Sequence, residues 1–386
     1  MTIYIDVSSA VHQRAGMARY SASLARTLIA GHGNKQSWGL FYNSASPVVS
    51  PLGLADVPTR TVRAGYKPWR LAVLLGQLAG LSFDRLMPDA QLFHATEHLL
   101  PRFTTFPTVL TVHDLIYHLF PAYHRRLNYW YLKAAMPVFV RRADALITIS
   151  QSSKRDLMRV YGVDEDKISV IYEAASKHFS PCSPAHVAQV KARYSLPDQY
   201  LLALGTIEPR KNLIRLVQAL HSLRRQHPNL RLVIVGRPGW MYQEFFQHLE
   251  KLPDPNAVLL SGFVPDNDLP AVICGAQAYV LASLYEGFGL PILEAMACGT
   301  PVVSSRTSSM PELGGDAVLY FDPTDTAEMA HQIGRVLSEN ELADDMRKKG
   351  LAQAARFSWE RTADETLAVY RQVLARHENE SSHTSV

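Results

Sequence analysis

Three cysteines stand in 386 residues, Cys182, Cys274 and Cys298. They are too few and too dispersed for a disulfide framework. No C-x-x-C pair is present, which disfavours structural zinc and dithiol redox chemistry, and a reducing compartment is expected. No strand-like run is followed by G-x-G-x-x-G, which disfavours a dinucleotide oxidoreductase. Long apolar runs are missing too: Leu71–Leu81 is interrupted by Gln77 and falls well short of the ~20 residues that span a bilayer. No basic leader opens the chain. MTIYIDVSSA carries Asp6 inside its apolar run and reads as a first β-strand, not a signal peptide. These absences lead to an expected soluble, cytoplasmic protein. Gly 21 and Pro 23 are scattered without period, and charged residues make up only 19% against 47% apolar. Collagen-like, linker-dominated and disordered chains are thereby excluded.

The formal net charge is +4, unevenly placed: residues 1–178 hold 20 Lys and Arg against 12 Asp and Glu, and the remainder 19 against 23. A basic first half suits an anionic surface or substrate, although a solvated protein surface carries the same charges. The excess lacks any nucleic-acid-binding motif, so no nucleic-acid partner is expected.

Short β-branched runs alternate with longer amphipathic ones in both halves. Strands are expected at Ile3–Val7, Trp38–Tyr42, Leu92–Ala95, Thr108–Val112, Ala145–Ile149 and Ile168–Ile171, then at Tyr200–Leu204, Leu230–Val235, Ala257–Leu260, Ala278–Leu281, Pro301–Ser304 and Val318–Phe321. This βαβα pattern predicts parallel sheets covered on both faces. Twelve strands in one sheet would be unusual, so two doubly wound α/β domains are expected. The pattern breaks at AASKHFSPCSP, which sets the domains at 1–178 and 179–357. A last helix follows at 358–376, and the polar residues 377–386 are expected to be disordered. Ligands of such sheets bind at the carboxyl ends of the strands, so a site in a cleft between two domains is expected.

Four segments carry chemistry. In LYEGFGLPILEAMACGTP, Gly287 and Gly289 permit a tight turn after the strand Ala278–Leu281, and Pro291 suits a first helical turn. The helix start offers unpaired N–H groups to oxygens. Glu286 in the loop and Glu294 in the expected first turn can both accept hydroxyls of a sugar or ribose. In GTIEPRKN, Arg210 and Lys211 stand at a helix start, where cations oppose the helix dipole. A phosphate between them would remove that conflict, clamped by Arg and neutralised by Lys. In RAGMARY, Arg14–Tyr20, Gly16 either offers N–H groups to a second phosphate or simply turns the chain. In TVHD, His113 ends a strand, where it either faces a ligand or is packed and hydrogen-bonded. No metal site is expected: Asp164–Glu165–Asp166 reads as turn chemistry and Asp266–Asn267–Asp268 as N-cap chemistry.

Together these residues resemble the retaining nucleotide-sugar glycosyltransferases of the GT-B fold, the glycosyl transferases group 1. The resemblance rests on E-x7-E at Glu286–Glu294, AMACGTPVVSS, Ser309–Glu312, Gly314–Pro323, GTIEPRKN and LRLVIVGRPGW, spread over residues 200–375. GMARY, TVHD and ALITISQSSKRDL extend it more loosely into the first half. It implies an acceptor-side domain at 1–178, a donor-binding domain at 179–357, and a helix around FSWERTA that crosses back to the first. It also implies that Arg210 and Lys211 hold the leaving diphosphate, Glu294 the ribose and Glu286 the donor sugar. Gly287, Phe288, Gly289 and Leu290 would touch sugar and phosphates, the loop at Val264 the base, and His113 the sugar. Gly16 matches one of a glycine pair at the diphosphate, with Ala15 at the other position.

The implied reaction is metal-independent hexosyl transfer with retention. The nucleotide-diphosphate sugar is a substrate, and no cofactor is expected. EPRKN resembles mannosyltransferases of bacterial polysaccharide and lipopolysaccharide assembly, which points to GDP-mannose as donor. A UDP-sugar-dependent transferase and a nucleotide-sugar epimerase of the same fold stay open. The expected acceptor is a glycan or a polyprenyl-diphosphate-linked saccharide. The basic, apolar segments Tyr66–Leu81 and Arg125–Arg142 would suit peripheral contact with the inner face of the cell membrane, and core packing would explain the same residues.

Overall fold

The computed structural model of the chain describes residues 2–13, 15–33, 36–48 and 51–383. These form two compact units. The first holds Met1–Leu119, Arg126–Glu173 and the segment from Ser358 on; the second holds Phe120–Arg125 and Ala174–Phe357. The boundary therefore lies five residues before the expected 178/179. The short Phe120–Arg125 segment joins the second unit because the Trp240 indole donates to Tyr123 O at 2.6 Å and the Phe120 ring lies 5.9 Å from that of Tyr285.

In the first unit, β1 (Thr2–Asp6), β2 (Ser37–Asn43), β3 (Thr59–Val62), β4 (Ala90–Ala95), β5 (Thr108–Val112), β6 (Ala145–Thr148) and β7 (Ile168–Val170) form one sheet in the order β3-β2-β1-β4-β5-β6-β7. Every pairing is parallel. The central strands read as unbroken apolar runs because helices cover both faces, and all five residues of β1 are buried. The register sets Ile5 between Leu40 and His94. β1 has β2 on one side and β4 on the other, so the winding reverses between β1 and β4.

Two elements of this unit were not expected. β3, TRTV, is an edge strand with a solvated middle, so it lacks the apolar signature of its neighbours. The helix Tyr66–Ala79 is apolar on both faces. It buries Trp69, Val73 and Gly76 and leaves Leu71, Leu75 and Leu78 exposed, so the one-sided stripe that marks a surface helix is absent. Gly80, at φ 73°, ends it in the left-handed conformation. The final helix runs Trp359–His383, seven residues past the expected end at 376. Adding residues to an existing helix is cheap compared with starting one, and Glu378 and Glu380 are good helix formers. Residues 384–386 lie outside the described residues.

The second unit has six parallel strands, β8 (Tyr200–Leu204), β9 (Arg231–Val235), β10 (Val258–Gly262), β11 (Ala278–Leu281), β12 (Val302–Ser305) and β13 (Val318–Phe321), in the order β10-β9-β8-β11-β12-β13. Here the reversal falls between β8 and β11. One side of the sheet packs on Leu216, Val217 and Leu220 of the helix Leu213–Leu223, with Val280, Val303 and Phe321 in the same core. Ser183 and Asp325 cap the helices Pro184–Arg193 and Thr326–Ser338 through their side chains. Asp268 does not cap, as its position suggested; its carboxylate accepts from Arg193 Nη1 at 2.8 Å and Tyr194 OH at 2.6 Å.

Candidate functional site

The reversal between β8 and β11 opens at the carboxyl ends of the two strands, where open α/β sheets take ligands. A shallow recess lies there, lined by Gly205, Thr206, Lys211 and Ser283 among others. β8 leads into it through Gly205, at φ 127°, a conformation open to glycine and strained for other residues. A Cβ at Gly205 would lie 3.3 Å from Lys211 Nζ, and one at Gly236 would fall 1.9 Å from Gly205 O. Two backbones and a lysine therefore pass here at distances only glycines permit.

Arg210 and Lys211 lie in the single 3-10 turn Pro209–Lys211, and the α-helix starts behind them at Leu213. Asn212 makes the joint at φ 57°. Its amide donates to Ala282 O at 3.0 Å and Pro323 O at 2.7 Å, which ties the turn to the end of β11. Both cations meet Glu286: Lys211 Nζ lies 2.7 Å from Oε1 and Arg210 Nη1 2.7 Å from Oε2. Arg210 also donates to Tyr285 O at 2.6 Å and pairs with Glu208. The sequence showed no partner for Glu286, and the fold supplies two across 75 residues. Burial alone would raise the Glu286 pKa. The Arg210 and Lys211 charges, with hydrogen bonds from Lys211 and Ser283, overcome it and hold the carboxyl down at about 2. Glu208 shifts the other way: burial raises it, only partly opposed by Arg210 and Lys211. Sequence reasoning missed Glu208, whose only signal was its place two residues before Arg210.

The loop that carries Glu286 is held by hydroxyls from the end of β12 and the segment after it. Ser305 Oγ donates to Ser283 O at 2.7 Å, Thr307 Oγ1 to Leu284 O at 3.0 Å, and Ser309 Oγ to Glu286 O at 3.0 Å and Phe288 O at 2.5 Å. Glu286 N–H donates to Ser308 Oγ at 2.9 Å. Gly289, at φ 104°, is the N-cap of the helix Leu290–Ala297. Glu294 is thus its fifth residue, in the second turn and not the first, because the helix starts one residue earlier than Pro291. It is buried, as is Phe288. Val264, in the loop after β10, is buried as well, whereas its neighbour Phe263 is exposed under the Arg237 guanidinium, 4.8 Å from the ring centre. An aromatic face beside a cation suits a planar ligand group, and nothing in the sequence pointed to this pair.

Gly16 and His113 belong to the first unit. Gly16 is the second residue of the helix Ala15–His32, and nothing lies within 4 Å of a Cβ built there. Its N–H is one of the four that a helix start leaves unpaired. Arg14, of the same motif, lies outside the described residues. His113 follows β5 and is buried. Its Nε2 lies 2.9 Å from Thr96 O, its Nδ1 3.6 Å from Glu173 Oε1, and its ring meets Tyr20 edge-on at 4.9 Å. Burial would lower its pKa, but the Glu173 carboxylate and the Thr96 carbonyl raise it above the ordinary value. Glu173 is a partner the sequence did not reveal. Asp164–Asp166 sits in and before the short turn Glu165–Lys167, with Glu165 paired to Lys154 at 2.9 Å.

Known proteins match along most of this chain. Residues 190–353 match the family described as Glycosyl transferases group 1, and residues 15–175 match Glycosyltransferase Family 4. The chain is 35% identical over 285 residues to the O-antigen chain mannosyltransferase B of Escherichia coli, covering 72% of this chain and 74% of that protein. It is 30% identical over 244 residues to the serotype-specific mannosyltransferase WbdA of Escherichia coli, covering 60% of this chain but 29% of that longer protein. Its fold is similar to that of a sucrose-phosphate synthase from Thermosynechococcus elongatus, with a TM-score of 0.75 over 97% of this chain and 100% of that one, at 21% identity.

Proposed function

Because the chain belongs to the glycosyl transferases group 1 family and has the two-sheet architecture of GT-B glycosyltransferases, we propose that it moves a mannosyl group from GDP-mannose to a glycan or lipid-linked saccharide, with retention and without metal. The observation that carries this is the pair of cations, Arg210 and Lys211, at the mouth between β8 and β11. A leaving diphosphate needs positive charge where its own charge grows. Arg offers a planar fork and Lys a point charge for that purpose. With the donor absent, Glu286 neutralises both. An entering diphosphate takes over these donors, and the Glu286 oxygens then accept hydroxyls of the sugar. Glu294 takes the ribose hydroxyls, and the N–H groups at Gly287–Leu290 take phosphate and sugar oxygens. The loop at Val264 takes the base. Gly16 and His113 are proposed as donor contacts as well. The acceptor hydroxyl bonds to the anomeric carbon as the carbon–oxygen bond to the diphosphate breaks, and its proton passes to a phosphate oxygen.

The mannosyl donor and polysaccharide acceptor are supported by the two mannosyltransferase relatives. The test is a thermal-shift panel of GDP, UDP, ADP and dTDP, with and without EDTA, on wild type and Arg210→Ala. A nucleotide at 100 times its Kd stabilises by about 2.7 kcal/mol. GDP alone should stabilise wild type, fail on Arg210→Ala and be indifferent to EDTA. No shift from any nucleotide at millimolar concentration would remove the reading.

The acceptor is proposed to be met at an anionic bilayer. Among the described residues no helix is long and apolar enough to cross a membrane. The helices Tyr66–Ala79 and Arg126–Arg142 contain no acidic residue and expose Leu71, Leu75, Leu78, Leu127 and Trp130, with Leu81 just beyond. Apolar side chains set among Lys67, Arg126 and Lys133 fit a headgroup layer.

A further inference from the structure

The chain has three cysteines, and the fold gathers all of them in the second unit, just outside the amino ends of β11 and β12 and across the sheet from the recess. Cys274 is the last residue of the helix Leu269–Cys274, which leads into β11. Cys298 follows the helix Leu290–Ala297 and leads into β12. Cys182 lies in the irregular segment before the helix Pro184–Arg193. The Cys182 N–H donates to Cys274 Sγ at 3.3 Å. The thiols of Cys182 and Cys274 face one carbonyl, Ser180 O, at 3.6 and 3.7 Å. Cys274 Sγ also lies 3.4 Å from Cys298 O. Beside them the Thr300 hydroxyl donates to Ile273 O at 2.8 Å and fastens the two segments that lead into the strands.

A free cysteine is ordinarily a small buried hydrophobe without chemistry. Cys298 is buried in this way at 4% exposure, whereas Cys182 and Cys274 keep part of their surface in solvent. The Cys274 sulfur is the centre of the group. It accepts from the Cys298 thiol, and from the N–H and thiol of Cys182, and these bonds hold its pKa below the ordinary thiol value against the effect of burial. Its two neighbours shift the other way. Cys182 is raised by burial and then by the Cys274 charge; Cys298 is raised first by its bond to Cys274 and then by burial. One thiolate therefore stands between two thiols. The thiolate is the form that reacts, and a second thiol within reach turns its oxidation into a disulfide. Among the described residues no group of three His, Cys, Asp or Glu side chains could hold a metal ion, so the three sulfurs are not arranged around a cation.

We propose that this cluster is a modification site, at which a hydroperoxide oxidises Cys274 and Cys182 resolves it to a reversible disulfide, with Cys298 as the positioning donor. The Cys274 thiolate attacks one oxygen of hydrogen peroxide and the O–O bond breaks. The sulfur becomes a sulfenic acid, and the other oxygen takes up a proton and leaves as water. The Cys182 sulfur then attacks the Cys274 sulfur, the S–O bond breaks, and the hydroxyl leaves with the Cys182 proton as a second water. Two electrons have passed from the thiols to the peroxide. The new bond joins residues 92 apart and pins the segment that opens the second unit to the helix before β11. The site is separate from the donor recess and does not depend on the transferase reading.

The test exposes the full chain to hydrogen peroxide, maps its peptides by mass without reduction, and traps sulfenic acid with dimedone. Wild type should link Cys182 to Cys274, reversibly with dithiothreitol. Cys182→Ser should carry dimedone on Cys274, and Cys274→Ser should stay unmodified at Cys182. Cys298→Ala should slow the oxidation of Cys274 by about tenfold, and Cys298→Ser, which keeps a donor, should restore it. The site falls if wild type forms no link, links through Cys298, or is oxidised no faster than Cys274→Ser; an unchanged rate in Cys298→Ala removes the part given to Cys298. Wild type decides the matter where a variant fails to fold: iodoacetamide on the reduced native chain should alkylate Cys274 first, and the opposite order overturns the roles. Oxidised wild type should also melt above the reduced chain, because a link between distant residues restricts the unfolded state. A melting point that does not rise would show that the bond forms only on a distorted chain, and the pair would not be a built one.

Discussion

Replacing Glu286 by Gln should destabilise the protein without its ligand and make nucleoside diphosphates stabilise it more. The Glu286 carboxyl is held at about 2 against an ordinary 4.5, which corresponds to about 3 kcal/mol. The group is buried, so little of this is screened away. The independent expectation for removing one partner of a buried ion pair is about 3–5 kcal/mol, in the same range. Gln keeps the shape and loses the charge that Arg210 and Lys211 share, while Glu208 still pairs with Arg210. At roughly 2–4 °C per kcal/mol for a unit of this size, the second unit should melt roughly 6–12 °C lower. The pH dependence has a definite sign. A carboxyl with a depressed folded pKa stabilises fully above its unfolded value, 4.5, and that stability is lost as pH falls from there towards 2. Glu286→Gln should therefore flatten the acid limb of the stability curve in that window. A diphosphate no longer has to displace a carboxylate from the clamp, so the melting increment from GDP should be larger than in wild type, while turnover falls. Melting curves at pH 7 and pH 3, with and without GDP, supply every number. A variant within 1 °C of wild type at pH 7, with an unchanged GDP increment, would show that Glu286 does not neutralise the clamp and would refute the reasoning.

Gly236→Ala would place a Cβ 1.9 Å from Gly205 O, so the two loops must part; expression in soluble form should fall sharply, and a folded, active variant would count against the packing described. Asp6 is raised to about 7, first by burial and then by the Glu97 charge. A raised carboxyl leaves its full stability only below 3.8 and loses it as pH rises through 7, so the gain from Asp6→Asn should grow between pH 4 and pH 7 and then level off, as denaturant melts at several pH values would show. Leu75→Glu with Leu78→Glu, both on the exposed face of their helix, should abolish sedimentation with anionic liposomes at low salt and leave GDP binding intact; unchanged sedimentation would place the membrane face elsewhere.

Much of this architecture was legible because parallel strands buried on both faces write themselves as short apolar runs. β5, β8, β11 and β13 lie where their runs predicted, end to end. What the runs cannot show is an element that breaks their rule: β3 is half solvated, and the helix Tyr66–Ala79 is apolar all round. Arg210, Lys211 and Glu286 stood out by their places beside glycine, proline and a strand end. Their mutual pairing did not, because 75 residues separate the clamp from its counter-ion and only strand order, with β11 beside β8, joins them. Glu173 and the Phe263–Arg237 stack were invisible for the same reason, whereas Glu208 stood beside Arg210 without a motif to mark it. Asp6 was seen only as a charge inside a strand, and its burial with the Glu97 charge acting on it follows from β4 lying next to β1.

The return of the chain to the first unit sets an order of assembly. Tyr370 OH lies 2.6 Å from buried His94 Nδ1, Thr362 Oγ1 donates to Tyr172 O at 2.7 Å, and the Trp359 ring lies 6.2 Å from that of Tyr20. These are contacts between residues 20–172 of the first unit and its last helix. During synthesis the second unit has its whole sheet before that helix has been made, whereas the first must wait with an open face until the helix emerges. The part synthesised first is therefore finished last. A chain cut short near residue 357 would be damaged in its amino-terminal unit, far in sequence from the missing residues, and would offer that face to chaperones and proteases while its carboxyl-terminal sheet remained whole.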